Sequence, residues 1–111
     1  KLHDIPTTVR RATQRIADLK ASYVTVHAGD GPAIVRACVE GASASPNLKV
    51  LAVTVLTSLD RQELARVGID RPVADLVRIR ADSAVLAGCH GLVCSPKEVV
   101  MLRAQHPDTA L

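Results

Sequence analysis

The sequence predicts an α/β fold built on a parallel sheet. Two observations carry this. Short β-branched segments alternate with longer stretches of helical period, in the order strand-end, helix, strand, helix, strand, helices, strand, helix. One of the short segments, Lys49-Val-Leu-Ala-Val-Thr-Val-Leu56, is nearly continuous in apolar residues, as in a strand covered on both faces. Consecutive parallel strands joined in this way require right-handed crossovers.

Each element has its own signal. Lys1-Leu2-His3 reads as the tail of a strand. Thr8 to Lys20 places Val9, Ala12, Ile16 and Leu19 on one helical face, and Pro6, Thr7 and Thr8 supply a start signal. Tyr23-Val-Thr-Val-His27 is short and β-branched and ends in Ala-Gly-Asp-Gly turn chemistry. Gly31 to about Gly41 is a helix carrying Ile34, Ala37 and Cys38, with Gly41 as the expected C-cap. Ser58 to Val67 is a helix opened by a Ser or Asp cap and stopped at Gly68. Pro72 to about Ala87 is another, with Val73, Leu76, Val77 and Ile79 as its apolar positions. Gly91-Leu-Val-Cys94 is a short strand. Ser95-Pro96-Lys97-Glu98 has the form of a capping box with Pro at the first helical position, opening a helix through about Gln105.

Composition narrows the class. The chain has 111 residues, 14 Lys+Arg against 11 Asp+Glu, and 48% hydrophobic residues. Such a chain buries roughly two thirds of its unfolded surface, enough for one domain, and no internal boundary, linker or repeat is visible. The longest apolar run is far short of the ~20 residues of a membrane span. No basic-then-apolar leader is visible, so no secretory signal is expected. One Tyr, no Phe and no Trp leave the core to Val, Leu, Ile and Ala. They also exclude base-stacking nucleic-acid modules. A net charge of +3 without clustering gives no nucleic-acid footprint. Cys38, Cys89 and Cys94 form no CxxC and are odd in number, which suits free thiols in the cytoplasm.

Two architectures remain open: a doubly wound sheet, or part of a (β/α)8 barrel. The first strand lacks its beginning, and Ala110-Leu111 reads as if another strand were about to start. Three and a half strands correspond to about half of a barrel of about 250 residues. In either architecture the site lies at the carboxyl ends of the strands. Lys1, His3, Asp4, Thr7 and Thr8 follow the first strand. His27 and Asp30 follow the second, Thr57, Ser58 and Asp60 the third, and Cys94 and Ser95 the fourth. A lysine beside carboxylates stays protonated and can deliver a proton to a carbanion. The plainer reading of Lys1 and Asp4 is a strand-end ion pair. Cys94 reads as a small buried hydrophobe rather than a nucleophile. Gly29-Asp-Gly31 reads as an ordinary turn, and Arg10-Arg11 as a solvated helix face. No His or Cys pair has zinc spacing, so no metal site is expected.

Lys1-Leu-His-Asp-Ile-Pro-Thr-Thr-Val9 resembles the signature of the orotidine 5'-phosphate decarboxylase family, Asp-x-Lys-x-x-Asp followed by Ile-Pro-Asn/Thr-Thr. Tyr23-Val-Thr-Val-His-Ala28, Leu51-Ala-Val-Thr-Val-Leu-Thr-Ser58 and Gly91-Leu-Val-Cys-Ser-Pro96 agree with it in order and spacing. The resemblance implies a (β/α)8 barrel, entered at the end of its third strand and left after its sixth helix. It implies a homodimer with no metal and no organic cofactor that converts orotidine 5'-monophosphate to uridine 5'-monophosphate. Residue by residue, Lys1 matches the lysine that protonates C6 of the product. Asp4 matches the aspartate that reaches across the dimer interface. Ile5 and Thr8 match residues delivered across that interface, Thr8 to the ribose, and Thr57 matches the hydroxyl residue that recognises the pyrimidine. On its own, Thr57-Ser58 is also consistent with a helix cap.

The chain departs from the family pattern in what it does not contain. The first aspartate of the signature would stand two residues before Lys1. A further Asp and Lys of the charge network, and the later Gln and Arg that grip the phosphate, are also absent. The 111 residues alone are therefore expected to be inactive. Two other classes stay open. One is a Mg2+-dependent sister enzyme of the hexulose-phosphate synthase type, disfavoured because Ile5-Pro6-Thr7-Thr8 stands where those enzymes carry Ala-Gly. The other is a non-catalytic α/β interaction module.

Overall fold

The computed structural model describes residues 1–111. It contains α1 (Pro6–Asp18), β1 (Tyr23–His27), α2 (Pro32–Ala42), β2 (Lys49–Val53), α3 (Arg61–Arg66), α4 (Val73–Leu86), β3 (Gly91–Val93) and α5 (Val99–Gln105). The three strands pair in parallel in the order β1-β2-β3, with Tyr23 opposite Lys49 and Leu51 opposite Gly91. Single parallel bridges extend the sheet on both sides. Leu2 bridges Val26, and Ala110 bridges Gly91. The Leu2 N–H donates to the Thr25 carbonyl at 2.8 Å and the His27 N–H donates to the Leu2 carbonyl at 2.9 Å. Lys1-Leu2-His3 is thus strand-like, as its sequence predicts.

Spatial order equals chain order across all five segments. A doubly wound sheet reverses direction partway and has a switch point. This sheet has none, so its winding is that of a barrel arc. Val24, Val26, Val50, Ala52 and Leu92 are buried, and α2 and α4 pack on this side of the sheet. The alternate residues Tyr23, Thr25, His27, Lys49, Leu51 and Val93 are exposed or half-buried on the other face. No helix is long and apolar enough to cross a membrane.

The core contains no aromatic ring, so it is filled by close approach of small side chains. The expectation that Gly41 caps α2 is wrong: α2 runs through Ala42, and Gly41 is buried inside it. A Cβ there would lie 2.6 Å from the Arg10 carbonyl oxygen and 2.8 Å from Thr13 Cβ of α1. Gly41 is the contact point of the two helices. Thr13 is buried beside it, and its hydroxyl donates to the Val9 carbonyl at 2.8 Å, which removes the cost of burying it. The expected α1 face shifts accordingly: Val9, Thr13 and Ala17 are buried, whereas Leu19 is 79% exposed beyond the helix end.

Other boundaries also move. β2 ends at Val53, because Thr54 turns its amide and hydroxyl to the Val93 carbonyl. α3 is confined to Arg61–Arg66, capped by the Asp60 carboxylate on the Glu63 N–H at 2.9 Å. On α4, Ile79 is exposed rather than core-facing. At Ser95–Glu98 the capping box is half formed. The Glu98 carboxylate accepts from the Ser95 N–H at 2.8 Å, but Pro96–Glu98 forms a turn and the helix starts at Val99. Gly31 opens α2 at φ 98°, a conformation that makes glycine the natural residue there.

At the amino end of the strands, the Val50 N–H donates to His90 Nδ1 at 3.1 Å, and the His90 N–H donates to the Val50 carbonyl at 2.9 Å. The imidazole thus completes the ladder between β2 and β3, and it must be neutral at Nδ1 to do so. Partial burial and the Lys49 ammonium hold its pKa below the ordinary value.

Gly41→Ala must separate α1 from α2 and should destabilise the protein by about 1–3 kcal/mol in urea unfolding, as overpacking does. A native His90 pKa below the unfolded value of about 6.5 means that the unfolded chain binds more protons in between. Stability should therefore hold above that pH and fall as the pH drops below it. His90→Ala should start less stable and show a shallower acid decline.

Candidate functional site

The carboxyl ends of the strands carry the polar side chains. Lys1 reaches this rim from the segment bridged to β1. Thr57 reaches it from the loop after β2. The two face one small cleft of about 150 Å³, with Val53, Leu56, Val93 and Cys94 among its walls. Of the five residues singled out in the sequence, these two are brought together. The remaining three are not. Asp4 and Ile5 line a separate cleft of about 590 Å³ with His3, Asp30 and Ile34. Thr8 lies on the outer surface of α1 beside Arg11 and Arg15.

Lys1 and Asp4 do not form the strand-end ion pair that spacing alone suggests. The Asp4 carboxylate instead accepts from the Ile5 N–H at 2.6 Å, and no carboxylate of this chain pairs with Lys1. Lys1 is exposed, as are Asp4, Ile5, Thr8 and Thr57. Ile5 is 66% exposed, an apolar side chain with no cover in this chain.

A second polar group lies beside Lys1. His3 Nε2 pairs with the Asp30 carboxylate, which ties the first strand to the turn after β1. The His3 and His27 rings lie 5.0 Å apart. Burial, then His3, Lys1 and Arg80, push the His27 pKa down, against a smaller opposing pull from Asp30. His27 is therefore neutral at pH 7 and can accept or donate one hydrogen bond. The sequence places His3, His27 and Asp30 on the rim but does not pair them.

Arg80 and Thr54 escaped the sequence reading. Arg80 is on α4, yet it is half-buried, and its Nη1 donates to the Thr54 carbonyl at 2.9 Å. Its guanidinium also packs on Gly29, where a Cβ would lie 3.4 Å from Nη2. Thr54 is 1% exposed, and its hydroxyl donates to the Val93 carbonyl at 3.0 Å. A signal was available. Position 80 lies between Val77, Ala81 and Ala84, the buried stripe of α4, where a solvated arginine has no room.

Cys94 lies in the cleft wall, half-buried against the core as a small apolar residue. Burial and then the Glu98 carboxylate push its thiol pKa up. Arg10 and Arg11 are solvated, as expected. Gly29-Asp-Gly31 is a turn whose carboxylate is engaged by His3.

Comparison with known proteins agrees with this geometry. Residues 1–111 match the family described as orotidine 5'-phosphate decarboxylase / HUMPS. An orotidine 5'-phosphate decarboxylase of Thermobifida fusca is 50% identical over 112 residues, covering 100% of this chain and 47% of that protein. One from Frankia casuarinae is 49% identical, covering 95% of this chain and 37% of its own length. The crystal structure of orotidine 5'-phosphate decarboxylase from Lactobacillus acidophilus superposes with a TM-score of 0.93 at 35% identity, covering 100% of this chain and 52% of that one. An uncharacterized conserved protein from Geobacillus kaustophilus gives 0.90 at 36% identity, covering 95% and 52%. The chain spans less than half the length of these curated relatives.

The raised thiol pKa of Cys94 leaves little thiolate at neutral pH. Iodoacetamide at pH 7 should label Cys94 well below the rate of a free cysteine. Labelling at or above that rate would contradict the cleft-wall environment.

Proposed function

Because the chain belongs to the orotidine 5'-phosphate decarboxylase / HUMPS family, we propose that the protein decarboxylates orotidine 5'-monophosphate to uridine 5'-monophosphate. The observation that carries this is the convergence of Lys1 and Thr57 on one cleft at the carboxyl end of a singly wound parallel sheet. The curated relatives named above all carry the decarboxylase name, which favours this reading over the Mg2+-dependent sister enzymes of the same family.

The chemistry fits the residues. Loss of CO2 from the orotate ring leaves negative charge at C6, with no covalent sink. The protein must stabilise that charge electrostatically, and an ammonium aimed at C6 does so. Lys1 then supplies the proton. Thr57, across the cleft, offers a hydroxyl that can donate to or accept from the ring edge. Binding energy at the remote phosphate offsets strain at the reacting carboxylate.

Asp4, Ile5 and Thr8 act in the neighbouring site of a homodimer in this reading. Their placement supports it. They line clefts other than the one Lys1 faces, and exposed Ile5 would gain an apolar cover at an interface. The activity also requires a carboxylate beside Lys1 and a phosphate grip, neither of which these 111 residues provide. The protein is expected to work without metal or organic cofactor, in the cytoplasm, on a small molecule rather than nucleic acid or membrane.

The test is ultraviolet assay of orotidine 5'-monophosphate decarboxylation by the full-length protein, with EDTA present. Turnover should survive EDTA, and Lys1→Ala should lower kcat by at least about 100-fold, the lower bound for losing a positioned acid. No turnover by the full-length protein, or Mg2+-dependent turnover of a sugar phosphate, would overturn the reading. The 111 residues alone should show none.

A further inference from the structure

We propose that Arg80 is a positioning residue for this site: a half-buried guanidinium that ties the turn after β1 to the end of β2 and thereby sets Thr57 against Lys1. The kinetic part of the inference rests on the decarboxylase reading.

Arg80 lies on the core-facing stripe of α4 with Val77, Ala81 and Ala84. An arginine there loses hydration, and burial lowers its pKa, with Asp30 acting in the opposite sense. A partly buried cation is costly unless its donors are used. Here one of them is used on the backbone at the carboxyl end of β2. Nη1 donates to the Thr54 carbonyl at 2.9 Å, and the guanidinium packs on Gly29.

Each end of this strut leads to a site residue. Thr54 is held from its other side by two bonds to the Val93 carbonyl, from its amide at 3.3 Å and its hydroxyl at 3.0 Å. With Arg80 on its own carbonyl, Thr54 is fixed against both β3 and α4, and Thr57 follows within one turn of chain. Gly29 precedes Asp30, which pairs with His3, two residues from Lys1. Arg80 therefore bears on both walls of the cleft without lining it. A flat, forked donor can span two loops in this way. Lysine keeps the charge but presents a single point.

Arg80 also contributes fixed positive potential at His27, together with His3 and Lys1 and against Asp30. This provides a readout that needs no substrate.

The experiment uses the full-length protein with Arg80→Met, Arg80→Lys, Thr57→Ala, the double variant Arg80→Met/Thr57→Ala, and Arg78→Met as a control on the exposed side of α4. Arg80→Gln serves where Arg80→Met does not fold. Arg80→Met should lower kcat/KM by about 10- to 100-fold, the scale of a misplaced site. Arg80→Lys should recover part of this, and Arg78→Met should change nothing. Because Arg80 acts through the Thr54–Thr57 segment, the double variant should lose less than the product of the single losses. An NMR titration should show the His27 midpoint raised in Arg80→Met. Unchanged kcat and KM per folded molecule, multiplicative losses, or an unmoved His27 midpoint would each overturn the proposal. If the wild type fails to turn over orotidine 5'-monophosphate, the decarboxylase reading fails, while the His27 titration still decides whether Arg80 sits where we place it.

Discussion

Consecutive parallel pairing is the constraint from which the rest of the structure follows. Parallel neighbours cannot be joined by a tight turn, so each pair needs a crossover. Because Leu2, β1, β2, β3 and Ala110 follow one another in space as in sequence, the crossovers never change direction. The helices pack on one face. The other face and the carboxyl ends are left for side chains that do not serve the core. The division is visible along single strands. Val24 and Val26 are buried under helices, while Tyr23, Thr25 and His27 point the other way. Chemistry is thus placed by alternation within a strand, and Lys1 and His3 obey the same rule on the strand before.

A core without aromatic rings shapes how the helices meet. Large rings would hold elements apart and fill space in single pieces. Valine and alanine cannot, so the backbones must approach closely. Gly41 against Arg10 and Thr13 is the tightest instance. Gly91 repeats it in the sheet, where a Cβ would lie 2.8 Å from Leu51 and 3.0 Å from Ala110. Close approach brings polar atoms inside with the backbone. Thr13 and Thr54 are both buried, and both spend their hydroxyls on main-chain carbonyls.

Much of this was legible in the sequence. β1 is predicted to the residue, because β-branched alternation bounded by Ser22 and the Ala-Gly-Asp-Gly turn leaves one register. The order of elements was legible too, since periodicity switches cleanly between strand and helix. Tertiary contacts were not. Gly41 looks like a stop signal because a glycine after an apolar run usually is one. Only the neighbouring helix shows that it is a contact. Arg80 looks like surface because arginine usually is, and its loop partners lie far away in sequence. The half-formed box at Ser95–Glu98 failed for a local reason: the Glu98 side chain is satisfied on the Ser95 N–H while the backbone is still in a turn. For the site, motif order pointed to Lys1 and Thr57 and, through the resemblance, set Asp4, Ile5 and Thr8 apart from them, but it could not show which surfaces of this chain those three line.

The exposure of Lys1 bears on how the site gains its power. An ammonium in water interacts weakly with a charge 4 Å away, about 1 kcal/mol, and several times more in a low-dielectric site. The strand bearing Lys1 supplies position only. His27 beside it is neutral, and Asp30 is already engaged by His3. No carboxylate within this chain holds the ammonium or fixes its direction. In the decarboxylase reading proposed above, the electrostatic term would come from groups beyond these strands: carboxylates that orient the lysine and walls that exclude water. This divides the labour along the sequence. In the decarboxylase reading, these residues would supply the proton donor Lys1, the Thr57 hydroxyl and the strands that set their separation. In the same reading, the low dielectric that would strengthen the donor requires the sheet's free face to be covered.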